Sequence, residues 1–225
     1  MEAYTSNQHL REERINSMTH ALGILFGLVS IPILIFNAWN SSGFPIILGT
    51  AIYGFSFLMV FTFSSLFHWN TTNVKIRKLF LILDHISIYF LIAGTYTPFI
   101  LIFINNSFGM TLLSVLWGLT VVGIFFKIFY TGRFEIVSTI IYLAMGWMLL
   151  TGANEFFANM PSPVITLIIT GAILYSVGVL FYVKRFFAYH HAVWHLFVLS
   201  AAICHFSAVF MSVMSQEVLA SSQTF

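Results

Sequence analysis

Phe44-Pro-Ile-Ile-Leu-Gly-Thr-Ala-Ile-Tyr-Gly-Phe-Ser-Phe-Leu-Met-Val-Phe-Thr-Phe-Ser-Ser-Leu-Phe-His-Trp69 runs from residue 44 to 69 without one Asp, Glu, Lys or Arg. Wound as a helix it would reach about 39 Å, enough to cross a hydrocarbon core of about 30 Å. Its apolar residues are continuous rather than alternating, which favours a helix over a barrel strand. Six more runs of this kind follow or precede it, at roughly 18–39, 79–104, 108–129, 134–157, 162–183 and 187–214. The chain as a whole agrees: 59% of its 225 residues are apolar, and only nine Lys or Arg and seven Asp or Glu are charged. Charged residues at 7% cannot cover a water-facing surface, which usually needs about a quarter. A disordered or fibrous chain is excluded, and a net charge of +2 offers no basic footprint for nucleic acid. The expected fold is an all-α membrane protein, a seven-transmembrane helix bundle.

Between the runs there is little chain. Asn40 to Gly43, Asn105 to Ser107 and Tyr130 to Arg133 are barely turns, so residues 18–214 read as one domain. A short polar N-terminus, 1–17, and a short tail, 215–225, flank it. No internal repeat is visible, so the inverted-repeat logic of many transporters has no support. No cleavage site follows the polar start, and the first span is expected to be retained. Cys204 stands alone, so no intrachain disulfide is expected. Gly23 and Gly27, four apart, read as a close helix-packing pair, Trp69 and Trp194 as interfacial anchors, and Pro98 as a kink in the third span.

The basic residues orient the bundle. Arg11 and Arg14 precede span one; Lys75, Arg77 and Lys78 lie between two and three; Lys127 and Arg133 flank the turn after four; Lys184 and Arg185 precede seven. With alternating helices all nine fall at one end, and the positive-inside bias places that end in the cytoplasm. The N-terminus is then expected inside and the C-terminus outside.

Polar residues inside the runs gather at the same end. Span two ends with Ser64 and His68 in its last two turns, and span three opens with Asp84 and His85 about 9 Å deep. Span seven opens with His191 and His195, while Glu12, Glu13, Asn16, Thr19 and His20 approach span one. Ionisable groups in membrane helices are costly, and four segments agreeing in depth point to a site. His191 and His195, four apart, present both imidazoles to one side, and His68 supplies a third. Three neutral imidazoles plus a water make an open tetrahedral zinc site, with nitrogen ligands disfavouring magnesium or calcium. Asp84 would orient a ligand or the water, or else pair with Arg77 or Lys78. His85 reads as structural, His190 could compete with His191 as a ligand, and His20 stays open. His205 is about 21 Å beyond His191 and reads as packing. Glu13 could fold over the cytoplasmic mouth and gate or assist the site.

On these residues the chain resembles the hemolysin III branch of the progestin and adipoQ receptor family, bacterial type. The likeness runs from Glu13-Arg14-Ile15-Asn16-Ser17-Met18-Thr19-His20 through Ser64-x-x-x-His68, Leu83-Asp84-His85-x-x-Ile88-Tyr89 and Leu91-Ile92-Ala93-Gly94-Thr95-Tyr96-Thr97-Pro98-Phe99. It continues with Leu143-Ala144-Met145-Gly146-Trp147, Tyr189-His190-His191-Ala192-Val193-Trp194-His195 and Cys204-His205-Phe206. The resemblance implies a zinc ion on His68, His191 and His195, with Ser64 and Asp84 holding or polarising its water. It further implies hydrolysis of lipid amides such as ceramide, and a home in the plasma (inner) membrane of a bacterium.

Three functions compete. The first is a zinc-dependent hydrolase of a lipid amide or ester, with Asp84 as general base and Ser64 holding the water or oxyanion. Membrane lipids would be its partners and could enter sideways between helices. The second is a non-enzymatic lipid sensor or membrane-homeostasis protein with a structural zinc. The third is a hemolysin-type pore, disfavoured because conduction needs polar residues along a whole path.

Overall fold

A computed structural model describes residues 6–41 and 43–222. The chain forms α1 (Ser6–Ser41), α2 (Phe44–Trp69), α3 (Val74–Phe103), α4 (Ser107–Tyr130), α5 (Glu135–Gly146), α6 (Ala153–Asn159), α7 (Ser162–Val183) and α8 (His190–Ser222). A 3-10 turn, Met148–Gly152, joins α5 to α6. No strand occurs among the described residues. Seven segments are long and apolar enough to cross a membrane, the fifth being α5, the turn and α6 together. The protein is an all-α, multi-pass, seven-span membrane protein.

The helix α1 shows how the sequence divides its faces. Met18, Leu22, Leu25, Val29, Ile33 and Phe36 are exposed at spacings of three and four, a stripe suited to lipid. The opposite stripe carries Glu13, Asn16, His20, Gly23, Gly27, Ile31 and Leu34, all buried. A Cβ on Gly23 would strike the Phe61 ring, and one on Gly27 would lie 2.6 Å from Leu58 Cδ2. Both glycines therefore let α1 press against α2, as small residues do in membrane bundles. The polar segment before the first apolar run is helical from Ser6, and its inward residues continue this buried stripe.

Elsewhere three details add to the sequence reading. Trp194 is half-buried, lines a cavity and packs on Tyr182 at a ring separation of 5.6 Å, whereas Trp69 is exposed. The helix α3 continues through Pro98, the hydroxyl of neighbouring Thr97 bonding back to Ala93. The fifth span breaks at Gly146. There the Tyr96 hydroxyl donates to the Gly146 carbonyl at 2.9 Å and accepts from the Leu149 amide at 2.8 Å. Broken backbone survives in a membrane only where other groups complete its hydrogen bonds, and one phenol does so here.

Lys127 also differs from its sequence reading. Its place in the sequence puts it on the basic flank, yet it is 0% exposed and donates to Glu135 at 2.8 Å. Glu135 opens α5, accepts from the Gly132 amide and lies 3.3 Å from His85 Nε2. One carboxylate thus fastens the start of α5 to α3 and α4. All nine Lys and Arg belong to one end of the bundle, here called the basic end.

Candidate metal centre

At the basic end α2 and α8 bring three histidines together. His68, His191 and His195 each offer a ring nitrogen, and these atoms all lie within 4.8 Å of one another. Ring centroids are 5.1 Å apart for His68 and His191, 4.9 Å for His68 and His195, and 4.6 Å for His191 and His195. The four-residue spacing on α8 places the second pair on one face. The trio can hold one metal ion.

What surrounds the rings decides which nitrogens are free. His68, 4% exposed, donates from Nδ1 to the Glu13 carboxylate at 2.7 Å. A carboxylate only accepts, so the proton sits on Nδ1 and Nε2 keeps its lone pair. That Nε2 is buried without a hydrogen-bond partner. His195, 1% exposed, donates from Nδ1 to the Asn16 carbonyl at 3.0 Å, which frees its Nε2 in the same way. An orphaned buried acceptor is costly. Nitrogen lone pairs left open by such outer bonds are the donor set that zinc sites use, so the residues present fit a metal.

The helix α1 supplies these outer bonds, from Glu13 and from the Asn16 carbonyl. Glu13 reaches His68 directly instead of covering a mouth. Arg77 Nη2 donates to the other Glu13 oxygen at 2.8 Å, and Arg77 Nη1 to the carbonyls of Phe67 and Asn70. Arg77 is thereby the partner of Glu13, not of Asp84. Glu12 accepts from the amide of Tyr189, a residue with φ of 64° that turns the chain into α8. Thr19 lies 3.3 Å from His195 Nδ1, and His20 stacks on His195 with centroids 3.7 Å apart. His190 donates to the Phe181 carbonyl at 2.7 Å and stands outside the trio.

Ser64 and Asp84 meet nearby. Ser64 comes from α2 and Asp84 from α3. Both line a cavity of about 150 Å³ together with His20, His85, His191 and His195. The cavity continues past Ile88, Leu91, Ile92, Leu143, Val179 and Val198 to Tyr96, Tyr175 and His205. From His191 to His205 that is roughly 21 Å along α8. On its far wall α5 and α7 touch at few points, and Trp147 Nε1 donates across the seam to Ser176 at 3.0 Å.

Fold and site define a class: a seven-span membrane protein with a cluster of three histidines at the basic end of its bundle. The family model described as Haemolysin-III related matches residues 8–206, and the chain belongs to that family. It is 39% identical over 207 residues to Hemolysin-3 of Bacillus cereus, covering 92% of this chain and 94% of that protein. It is equally 39% identical over 200 residues to the Hemolysin-3 homolog of Bacillus subtilis (strain 168), covering 89% and 93%. A more distant relative, of the progestin and adipoQ receptor type, is the monocyte to macrophage differentiation factor of Homo sapiens. It is 25% identical over 209 residues, covering 88% and 83%.

Proposed function

We propose that the protein is a zinc-dependent hydrolase of a lipid amide or ester, serving membrane lipid or energetic homeostasis. The observation that carries this reading is that His191 and His195 of the trio border one elongated, mainly apolar cavity together with Ser64 and Asp84. His68, His191 and His195 would hold the zinc, which when bound polarises a carbonyl and makes water a better nucleophile. Glu13 and the Asn16 carbonyl keep His68 and His195 in the tautomer with Nε2 free. Asp84 takes the proton as water adds to the carbonyl carbon, and returns it to the nitrogen or oxygen that leaves when the C–N or C–O bond breaks. Ser64 holds Asp84 and the water in line. The products are a fatty acid and an amine or alcohol. Ile88, Leu91 and Val198 keep water from the acyl chain. Lipid would enter sideways between α5 and α7, with the basic end in the cytoplasm of a bacterial plasma membrane.

A metal that only staples α2 to α8 accounts for the histidines but not for Asp84 and Ser64 on the cavity wall. Metal analysis of detergent-purified protein should find about one zinc per chain, lost in His195→Ala. Incubation with ceramides and phospholipids should release fatty acid, with Asp84→Asn and Ser64→Ala nearly inactive. Release at full rate from both variants would remove them from the mechanism, and release from no lipid would leave the stapling role.

A further inference from the structure

The end of the cavity far from the histidine trio is polar again. His205 lies ten residues beyond His195 on α8, roughly 15 Å further from the basic end. Its Nε2 is 3.1 Å from the Ile168 carbonyl. A carbonyl only accepts, so the proton is on Nε2 and the Nδ1 lone pair is left free. The ring seats against α7 at Gly171, where a Cβ would collide with it, so its orientation is fixed by the backbone of a neighbouring helix. Tyr175, one turn along α7, packs on the imidazole with ring centroids 5.5 Å apart. Both residues line the cavity. The Tyr175 hydroxyl is buried and has no hydrogen-bond partner among the described residues. Leaving such a group unpaired is costly, and ionisable side chains at this depth call for a partner.

One ligand group answers both needs. A hydroxyl donates to a lone pair and accepts from a phenol; a methylene does neither, and a ketone only accepts. Between this end and the Ser64–Asp84 end the wall is apolar, with Leu91, Ile92 and Val198 facing the space. We propose that His205 and Tyr175 form a second polar subsite, reading a hydroxyl on the chain of the bound lipid. The ligand class is then a lipid amide or ester whose acyl chain carries a hydroxyl roughly 15 Å from its carbonyl. This inference rests on the lipid reading above and adds chain selectivity to it.

Binding separates the two claims. The full-length protein in nanodiscs is titrated with N-acyl ethanolamine bearing a saturated eighteen-carbon chain, then with the same amide carrying one hydroxyl at successive carbons from mid-chain to terminus. One hydroxyl position should bind about tenfold tighter than the plain chain, the worth of a satisfied buried hydrogen bond. Tyr175→Phe and His205→Leu should each abolish that preference, so that plain and hydroxylated chains bind each variant alike. Equal binding of plain and hydroxylated chains overturns the subsite and leaves the lipid reading standing; binding of no amide overturns both. Tyr175→Phe removes an oxygen that bonds to nothing in the protein, so its melting temperature should equal or exceed that of the wild type. A lower one would show that the hydroxyl is already partnered, and the subsite would fall.

Discussion

Around the histidines, α1 packs along both α2 and α8, and hydrogen bonds from α1 fix two of the three imidazoles. Across the cavity, α5 is short, breaks at Gly146 and meets α7 at few points. The first wall is held by direct bonds between helices, Glu13 to His68 and Asn16 to His195. The second is held at scattered points: Glu135 at its start, Tyr142 on the His85 carbonyl, Tyr96 at its break and Trp147 against Ser176. A site that must keep nitrogen atoms in place belongs on the stiff wall, and passage of a long apolar ligand belongs on the loose one. Local stability is uneven in proteins, and moving parts come from the less packed regions.

The contrast can be broken from either side. The largest effect is expected from His195→Ala, which removes a ligand nitrogen and should weaken metal affinity by more than about a hundredfold, beyond the loss from an outer partner. A chelator should lower the melting temperature of the wild type and leave that of the variant unmoved. Glu13→Gln keeps the side chain's shape but gives His68 a weaker partner. Its metal affinity, measured by competition with a chromophoric chelator, should fall about 10–100-fold. An unchanged affinity would make Glu13 a packing residue only.

On the loose wall, Lys127→Met strands Glu135 with the Gly132 amide and His85, and should cost about 2 kcal/mol in unfolding. Adding Glu135→Gln should recover part of that loss. If the double variant is worse than the sum of the singles, the pair is not the fastening described. The smallest effect is expected from Tyr96→Phe, at about 1–2 kcal/mol for two lost hydrogen bonds. Its signature is local: amides of residues 146–152 should exchange faster while those around His195 stay protected.

Much of this was readable in the sequence, for physical reasons. Seven apolar runs carry a strong signal because lipid tolerates little else, and the i, i+4 histidines on α8 fix their shared face by helix geometry alone. Depth brought His68 and Asp84 to the same level. The contacts across the sequence were not readable in the same way. Glu13 meets His68 across 55 positions, and a polar residue before an apolar run looks like a solvated tail. A signal was nevertheless present: Glu13, Asn16, His20, Gly23 and Gly27 repeat at three and four, extending the helix's inward stripe into the polar segment. Lys127 was counted as flank because hydropathy does not distinguish a cation at a helix end from one folded back onto Glu135. The break at Gly146 was hidden because the groups that complete it, on Tyr96, lie fifty residues away.

The placement of the trio also sets an order of events during synthesis. His68 and its partner Glu13 leave the ribosome early, on the first two spans, whereas His191 and His195 arrive only with the last. At about 5–20 residues per second, the 122 residues between His68 and His191 take roughly 6–25 s to make. Throughout that interval the nascent chain holds one imidazole of the trio and no chelate. The cluster therefore closes as the final helix docks, and a chain truncated before α8 has the carboxylate and the arginine waiting on a site that never forms.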